Sequence, residues 1–148
     1  MSWLHVRGNP AAQGSHKYVG HRKGRAVLVE SSKRLSAWRI AVQDAALQHL
    51  DPIPAGVAVR VEIHFVMPRP KSLPKSRPTP PAVKRIGDLD KLCRAILDGL
   101  DGPAYADDSQ VTVLVADKRI AEPGEEPGAR INVEALEPPP PTRCAGTP

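Results

Sequence analysis

Between Val57 and Met67 every odd position is apolar (Val57, Val59, Val61, Ile63, Phe65, Met67), while Arg60, Glu62 and His64 stand between them. A strict period of two is the pattern of a strand that buries one face and shows the other to water. Any fold built on this strand therefore needs a cover on one side of a sheet. At 148 residues the chain suffices for one compact domain and is too short for two comfortable ones. Aromatic residues are only 3% of it, so the core must rest on Val, Ile, Leu and Ala.

Two segments carry the helical period that could supply the cover. In the first, Ser31 or Ser32 is placed to cap a helix running to about Leu50, with Leu35, Trp38, Val42, Ala45 and Ala46 on its buried side. In the second, Leu89, Leu92, Cys93, Ile96, Leu97 and Leu100 recur at three and four residues. Asp88 stands at its N-cap, and Gly99, Gly102 and Pro103 end it. Further strands are expected at Trp3–Arg7, at Ala26–Val29 as the return of an exposed basic hairpin, from Val111 to about Arg119, and from Arg130 to Leu136. The order strand, strand, helix, strand, helix, strand, strand predicts a single α+β domain, one mixed β-sheet with two helices packed on it. We expect this domain to occupy residues 1–136, with 137–148 a disordered proline-rich tail.

The second helix is bracketed by acid. Asp88 and Asp90 precede or open it, and Asp107 and Asp108 follow it, just before the Val111 strand. A strand packed back on the helix brings Asp108 toward Asp90. Converging carboxylates repel unless a cation is bound or one of them is protonated, and Mg²⁺ is the cation that favours such oxygen ligands beside a phosphate. Asp90 and Arg94 share one flank of the helix. The plainer reading of the same residues is a cap, a surface pair and a polar turn.

Charge is divided along the chain. Residues 68–87 hold six basic side chains (Arg69, Lys71, Lys75, Arg77, Lys84, Arg85) and no acidic one, whereas 88–108 hold six acidic and two basic. The whole chain carries a formal charge of +5. A basic stretch abutting an acidic cluster suits a phosphodiester-cutting site, one part gripping the backbone and the other holding metal. Lys17, Arg22, Lys23 and Arg25 in the expected hairpin, and Lys91 beside the first acidic pair, are further candidate DNA contacts. Because residues 68–87 form a long loop without hydrophobic period, they are expected to be mobile until DNA orders them. His16 and His21 lack nearby partners for a zinc site. Cys93 on an apolar helix face and Cys144 in the tail are not placed for a disulfide, and no stretch approaches the roughly 20 apolar residues of a membrane span. A reduced, cytoplasmic location is the default expectation.

At its acidic segment the chain resembles the RusA family of Holliday junction resolvases, whose pattern is D-x-D-N-x-x-K, a helix with A-x-x-D-A-L, then an aromatic residue and D-D before a strand. The corresponding residues are Asp88-Leu89-Asp90-Lys91-Leu92-Cys93-Arg94, Ala95-Ile96-Leu97-Asp98-Gly99-Leu100 and Tyr105-Ala106-Asp107-Asp108. Lys91 replaces the pattern's Asn and Arg94 its Lys. Arginine keeps the charge and forks onto a phosphate, but it does not give up its proton. The resemblance implies a metal site at Asp88, Asp90 and Asp108 with Asp107 beside it, Arg94 as the catalytic cation, and Mg²⁺, or else Mn²⁺, as cofactor. It also implies a phage- or prophage-type homodimer that acts in recombination and repair. Such an enzyme places paired nicks in a four-way DNA junction and leaves 5′-phosphate ends. Two other readings stay open: a branched-DNA-binding protein without catalysis, and a phosphohydrolase of small esters.

Overall fold

The computed structural model describes residues 3–13, 23–83 and 86–138, with the side chains of 23–32 not described. The alternating segment forms β2, Val59–Met67, whose odd residues are buried and whose even residues are half-exposed. It lies inside a four-stranded sheet of order β1-β4-β2-β3, where β1 is Leu4–Arg7, β3 is Val111–Ile120 and β4 is Gly128–Ala135. β4 runs antiparallel to both β1 and β2, and β3 runs parallel to β2, so the sheet is mixed. The parallel pair requires a crossover, and the helix α2, Leu89–Leu100, lies in it.

Both helices contribute to one apolar core. α2 buries Leu92, Cys93, Ala95, Ile96, Gly99 and Leu100, and the longer α1, Lys23–His49, buries Trp38, Val42 and Ala46. They approach closely where Gly99 faces Val42: a Cβ on Gly99 would lie 3.0 Å from Val42 Cγ1. The other face of the sheet carries Arg60, Glu62 and His64. There His64 bridges Asp117 through Nδ1 (2.8 Å) and Glu62 through Nε2 (3.0 Å). Arg130 lies over the Trp3 ring beside them. The carboxylates, Asp117 first, hold the His64 pKa above its ordinary value.

The fold is the expected α+β domain with one strand fewer. Ala26–Val29 is not a strand but part of α1, which begins at Lys23, so Ser31 and Ser32 lie inside the helix rather than at its cap. A four-residue apolar run has no periodicity of its own, and no breaker separates it from the helical segment that follows. Of the predicted hairpin, residues 14–22 lie outside the described residues, as do 84, 85 and the tail from 139. Within residues 68–83, the segment expected to be mobile until DNA orders it, the structure shows turns (Leu73 N–H to Pro70 O, 3.0 Å; Arg77 N–H to Pro74 O, 3.2 Å) and hydrogen bonds from Arg69. No helix among the described residues is long and apolar enough to cross a membrane.

Candidate active site

Two short backbone features present the acidic residues. Asp88 occupies the N-cap of α2 with extended backbone, and its carbonyl accepts from Leu92 N–H at 3.0 Å. Its carboxylate makes no capping hydrogen bond; it is largely exposed and lies 3.6 Å from Lys91 Nζ. The expected side-chain cap is therefore absent. An N-cap carboxylate that does not spend its oxygens on the helix keeps them for another ligand. Just before it, Gly87 has φ +93, a conformation glycine takes freely, and its carbonyl accepts from Lys118 Nζ at 2.6 Å. Lys118 thus ties β3 to the start of α2.

The second acidic pair is set by a 3₁₀ turn, Asp108–Gln110, whose N-cap is Asp107. Asp107 Oδ1 accepts from Ser109 N–H at 3.2 Å. Gln110, buried despite its amide, closes the turn: its Oε1 accepts from the N–H groups of Ala106 and Asp107, both at 2.9 Å. Its Nε2 donates to the carbonyls of Pro54 (2.8 Å) and Val57 (2.9 Å), which anchors the turn to the segment leading into β2. Tyr105, fully buried, donates its hydroxyl to Leu97 O at 2.8 Å and fixes the end of α2 to the same turn.

This turn brings Asp107 and Asp108 beside Asp101, the C-cap of α2. One carboxylate oxygen from each of the three lies within 4.8 Å of the others, and all three residues are exposed. Asp107 is held below the ordinary carboxylate range, first by the Ser109 N–H and then by its hydrogen bond with Asp108. Asp108 is pushed above it, chiefly by that shared bond and the adjacent negative charge. Alongside runs a cleft of about 690 Å³ between α2 and β3, lined by Asp90, Arg94, Asp98 and Asp108 together with Cys93 and Leu114. Burial, with Asp90 nearby, pushes the Cys93 thiol up to about 11, so it is neutral and inert near neutral pH.

Asp90, Arg94 and Asp108 thus face one cleft. Asp90 and Arg94 form no ion pair with each other among the described residues. The group within mutual ligand distance among the described residues is Asp101, Asp107 and Asp108; Asp88 and Asp90 stand outside it. The chain matches the family model Endodeoxyribonuclease RusA over residues 7–134. It belongs to the RusA endodeoxyribonuclease family. No curated protein matches it. The RusA family is one of Holliday junction resolvases, which makes a nuclease the activity to explain.

The candidate DNA contacts divide. Lys71, Lys75 and Arg77 are exposed on the arm that follows β2. Arg69 is half-buried and hydrogen-bonds its own arm and the Ala121 carbonyl. Lys91 sits beside Asp88. The side chains of Lys23 and Arg25, and all of Lys17, Arg22, Lys84 and Arg85, lie outside the described residues. Sequence reasoning passed over three residues. Asp101 was signalled by Gly102-Pro103, a chain reversal that had to return Asp107 toward the end of α2. Lys118 shares the strand parity of Leu114 and Ala116, hence the α2 side of the sheet. Gln110 left no local signal, because its partners lie more than fifty residues away.

Proposed function

We propose that this RusA-family chain is a Mg²⁺-dependent endodeoxyribonuclease that resolves four-way DNA junctions in recombination and repair. The observation that carries the reading is the convergence of Asp90, Arg94 and Asp108 on one cleft, next to the Asp101–Asp107–Asp108 cluster. The donor set fits a hard divalent cation: three exposed carboxylates whose oxygens crowd together, with the pKa of Asp108 raised first by its hydrogen bond with Asp107. Asp108, with Asp107 and Asp101 beside it, and Asp88 and Asp90 from the start of α2 would hold Mg²⁺ or Mn²⁺. When bound, such an ion supplies an activated water and neutralises charge on the scissile phosphate.

The chain's own residues do the rest. Arg94 forks onto the non-bridging phosphate oxygens and stabilises the charge that grows there. Asp107, engaged as a cap, orients the turn that aims Asp108, and Lys118 fixes the backbone ahead of Asp88. Lys71, Lys75 and Arg77 hold the backbone of the substrate on the arm, with Lys91 and the cations of residues 17–25 and 84–85 extending the grip. Residues 1–136 form the nuclease domain and 137–148 its tail, in a cytoplasmic protein of phage or prophage type.

Action as a homodimer, with paired nicks giving 5′-phosphate and 3′-hydroxyl ends, accords with β3. It is an edge strand that exposes Val113, Leu114 and Val115, with no charge or proline in its first six residues to blunt it. The deciding experiment is cleavage of a synthetic four-way junction beside a linear duplex of matched sequence, in Mg²⁺ or EDTA, with Asp108→Asn as control. Paired nicks confined to the junction, dependent on Mg²⁺ and lost in the variant, are expected. Tight junction binding by the parent without any cut in Mg²⁺ or Mn²⁺ would reduce the protein to a binding module.

A further inference from the structure

The segment Pro68–Pro80 is rich in proline and lysine and has no secondary structure beyond turns, yet its shape is set by one side chain. Arg69 Nη1 donates to Thr79 Oγ1 (2.7 Å) and to the Ala121 carbonyl (3.3 Å). Its Nη2 donates to the carbonyls of Pro74 (2.9 Å) and Arg77 (3.2 Å), and its Nε is buried without a hydrogen-bond partner among the described residues. Thr79 passes the contact on, donating to Glu122 Oε2 at 2.8 Å. Ala121 N–H bonds Met67 O at 2.9 Å, so the arm is rooted where β2 and β3 both end. Four bonds to one thirteen-residue segment and its root occupy both terminal nitrogens of Arg69, and its remaining N–H is buried away from any phosphate. The exposed cations Lys71, Lys75 and Arg77 lie on the turns that it closes.

We propose that Arg69 is a positioning residue: it pre-folds the arm in the free protein, so that Lys71, Lys75 and Arg77 meet the DNA backbone as a fixed comb. The gain is pre-organisation. A comb already in place spares the ordering of the segment and of three long side chains when DNA binds. The DNA half of the proposal rests on the functional reading above, whereas the folding half does not.

Arginine and lysine separate the two roles open to residue 69. Lysine preserves the charge but not the planar fork. A direct phosphate contact therefore survives Arg69→Lys, and a hub does not. The first measurement is the rate of trypsin cleavage of the free full-length protein at Lys71–Ser72 and Lys75–Ser76. Arg69 and Arg77 are followed by proline, so those bonds resist, and Arg69→Lys adds no new cleavable one. The second is anisotropy of a labelled four-way junction in EDTA at several salt concentrations, for the parent, Arg69→Lys, Thr79→Val and Lys71→Ala.

We expect the arm to be cut at least about tenfold faster in Arg69→Lys, with junction affinity down about tenfold at unchanged charge. Thr79→Val, which alters no charge, should move both readouts in the same direction while the melting transition stays cooperative. Lys71→Ala should lower the salt slope by about 0.9, the signature of one lost phosphate contact, and leave the trypsin rate at Lys75 unchanged. Parental trypsin resistance in both Arg69→Lys and Thr79→Val would overturn the hub. Altered proteolysis with unaltered affinity would overturn the comb. A parent that binds no DNA would sink the functional reading and with it the comb, while the trypsin rates would still decide the hub.

Discussion

Gln110→Met is the most informative single change that this structure offers. The two side chains are similar in volume, so the substitution removes polar partners without opening a large cavity. It strips hydrogen bonds from four backbone groups: the N–H of Ala106 and of Asp107, and the carbonyls of Pro54 and Val57. At about 1 kcal/mol each, the four bonds sum to about 4 kcal/mol. Water can reach the groups on the exposed Ala106–Asp108 side, which lowers the expectation to about 2–3 kcal/mol, a large share of the 5–15 kcal/mol typical of a domain. For a chain of this length that corresponds to a fall of roughly 6–9 °C in Tm. Urea denaturation at an unchanged m-value gives the stability directly. The same variant should cleave DNA much more slowly, by up to about 10²-fold, with KM little changed, because the turn that aims Asp107 and Asp108 loses its anchor. A loss of less than about 1 kcal/mol together with parental cleavage would refute the assignment of Gln110 as the anchor of the site.

Arg94→Lys should retain most cleavage, and Arg94→Ala should lose at least about 10²-fold in kcat with the junction Kd in EDTA shifted far less; an alanine variant as active as the parent would remove Arg94 from the mechanism. Gly128→Ala places a methyl against the Val6 carbonyl across the β1–β4 pair, and should cost on the order of 1–3 kcal/mol in urea denaturation. His64 has a raised pKa in the folded chain, so its contribution to stability is fully present below its ordinary value of 6.5 and fades as pH rises through the raised one. Glu62, whose pKa is lowered, contributes in the opposite direction only at acid pH. The stability gap between the parent and His64→Gln should therefore be wider at about pH 6 than at about pH 9. A gap independent of pH would show that the bridge to Asp117 and Glu62 does not stabilise the fold through charge.

What was legible in the sequence was whatever repeats along one element. The parity of Val59 to Met67, and the three- and four-residue spacing from Leu89 to Leu100, each specify which face is buried, and these two surfaces alone require a helix-covered sheet. The acidic pairs were visible because a motif joins them across one helix. Polar roles that depend on distant partners were not visible. Arg69 reads as one more cation in a basic stretch, and only the return of Thr79 and Ala121 to it in space makes it a hub. Gln110 reads as the first polar residue before a strand, until Pro54 and Val57 arrive beside it. Ala26–Val29 failed for the opposite reason: four apolar residues satisfy either period, and the chain that continues from them decides. The same asymmetry bears on the site. All of its acids but Asp101 were found from spacing, whereas the residues that position the turn and the start of α2, Gln110, Lys118 and Tyr105, bond backbone groups, and backbone groups carry no sequence signature. A variant screen guided by charge alone would therefore reach the proposed ligands and phosphate contacts and miss the side chains that hold them in place.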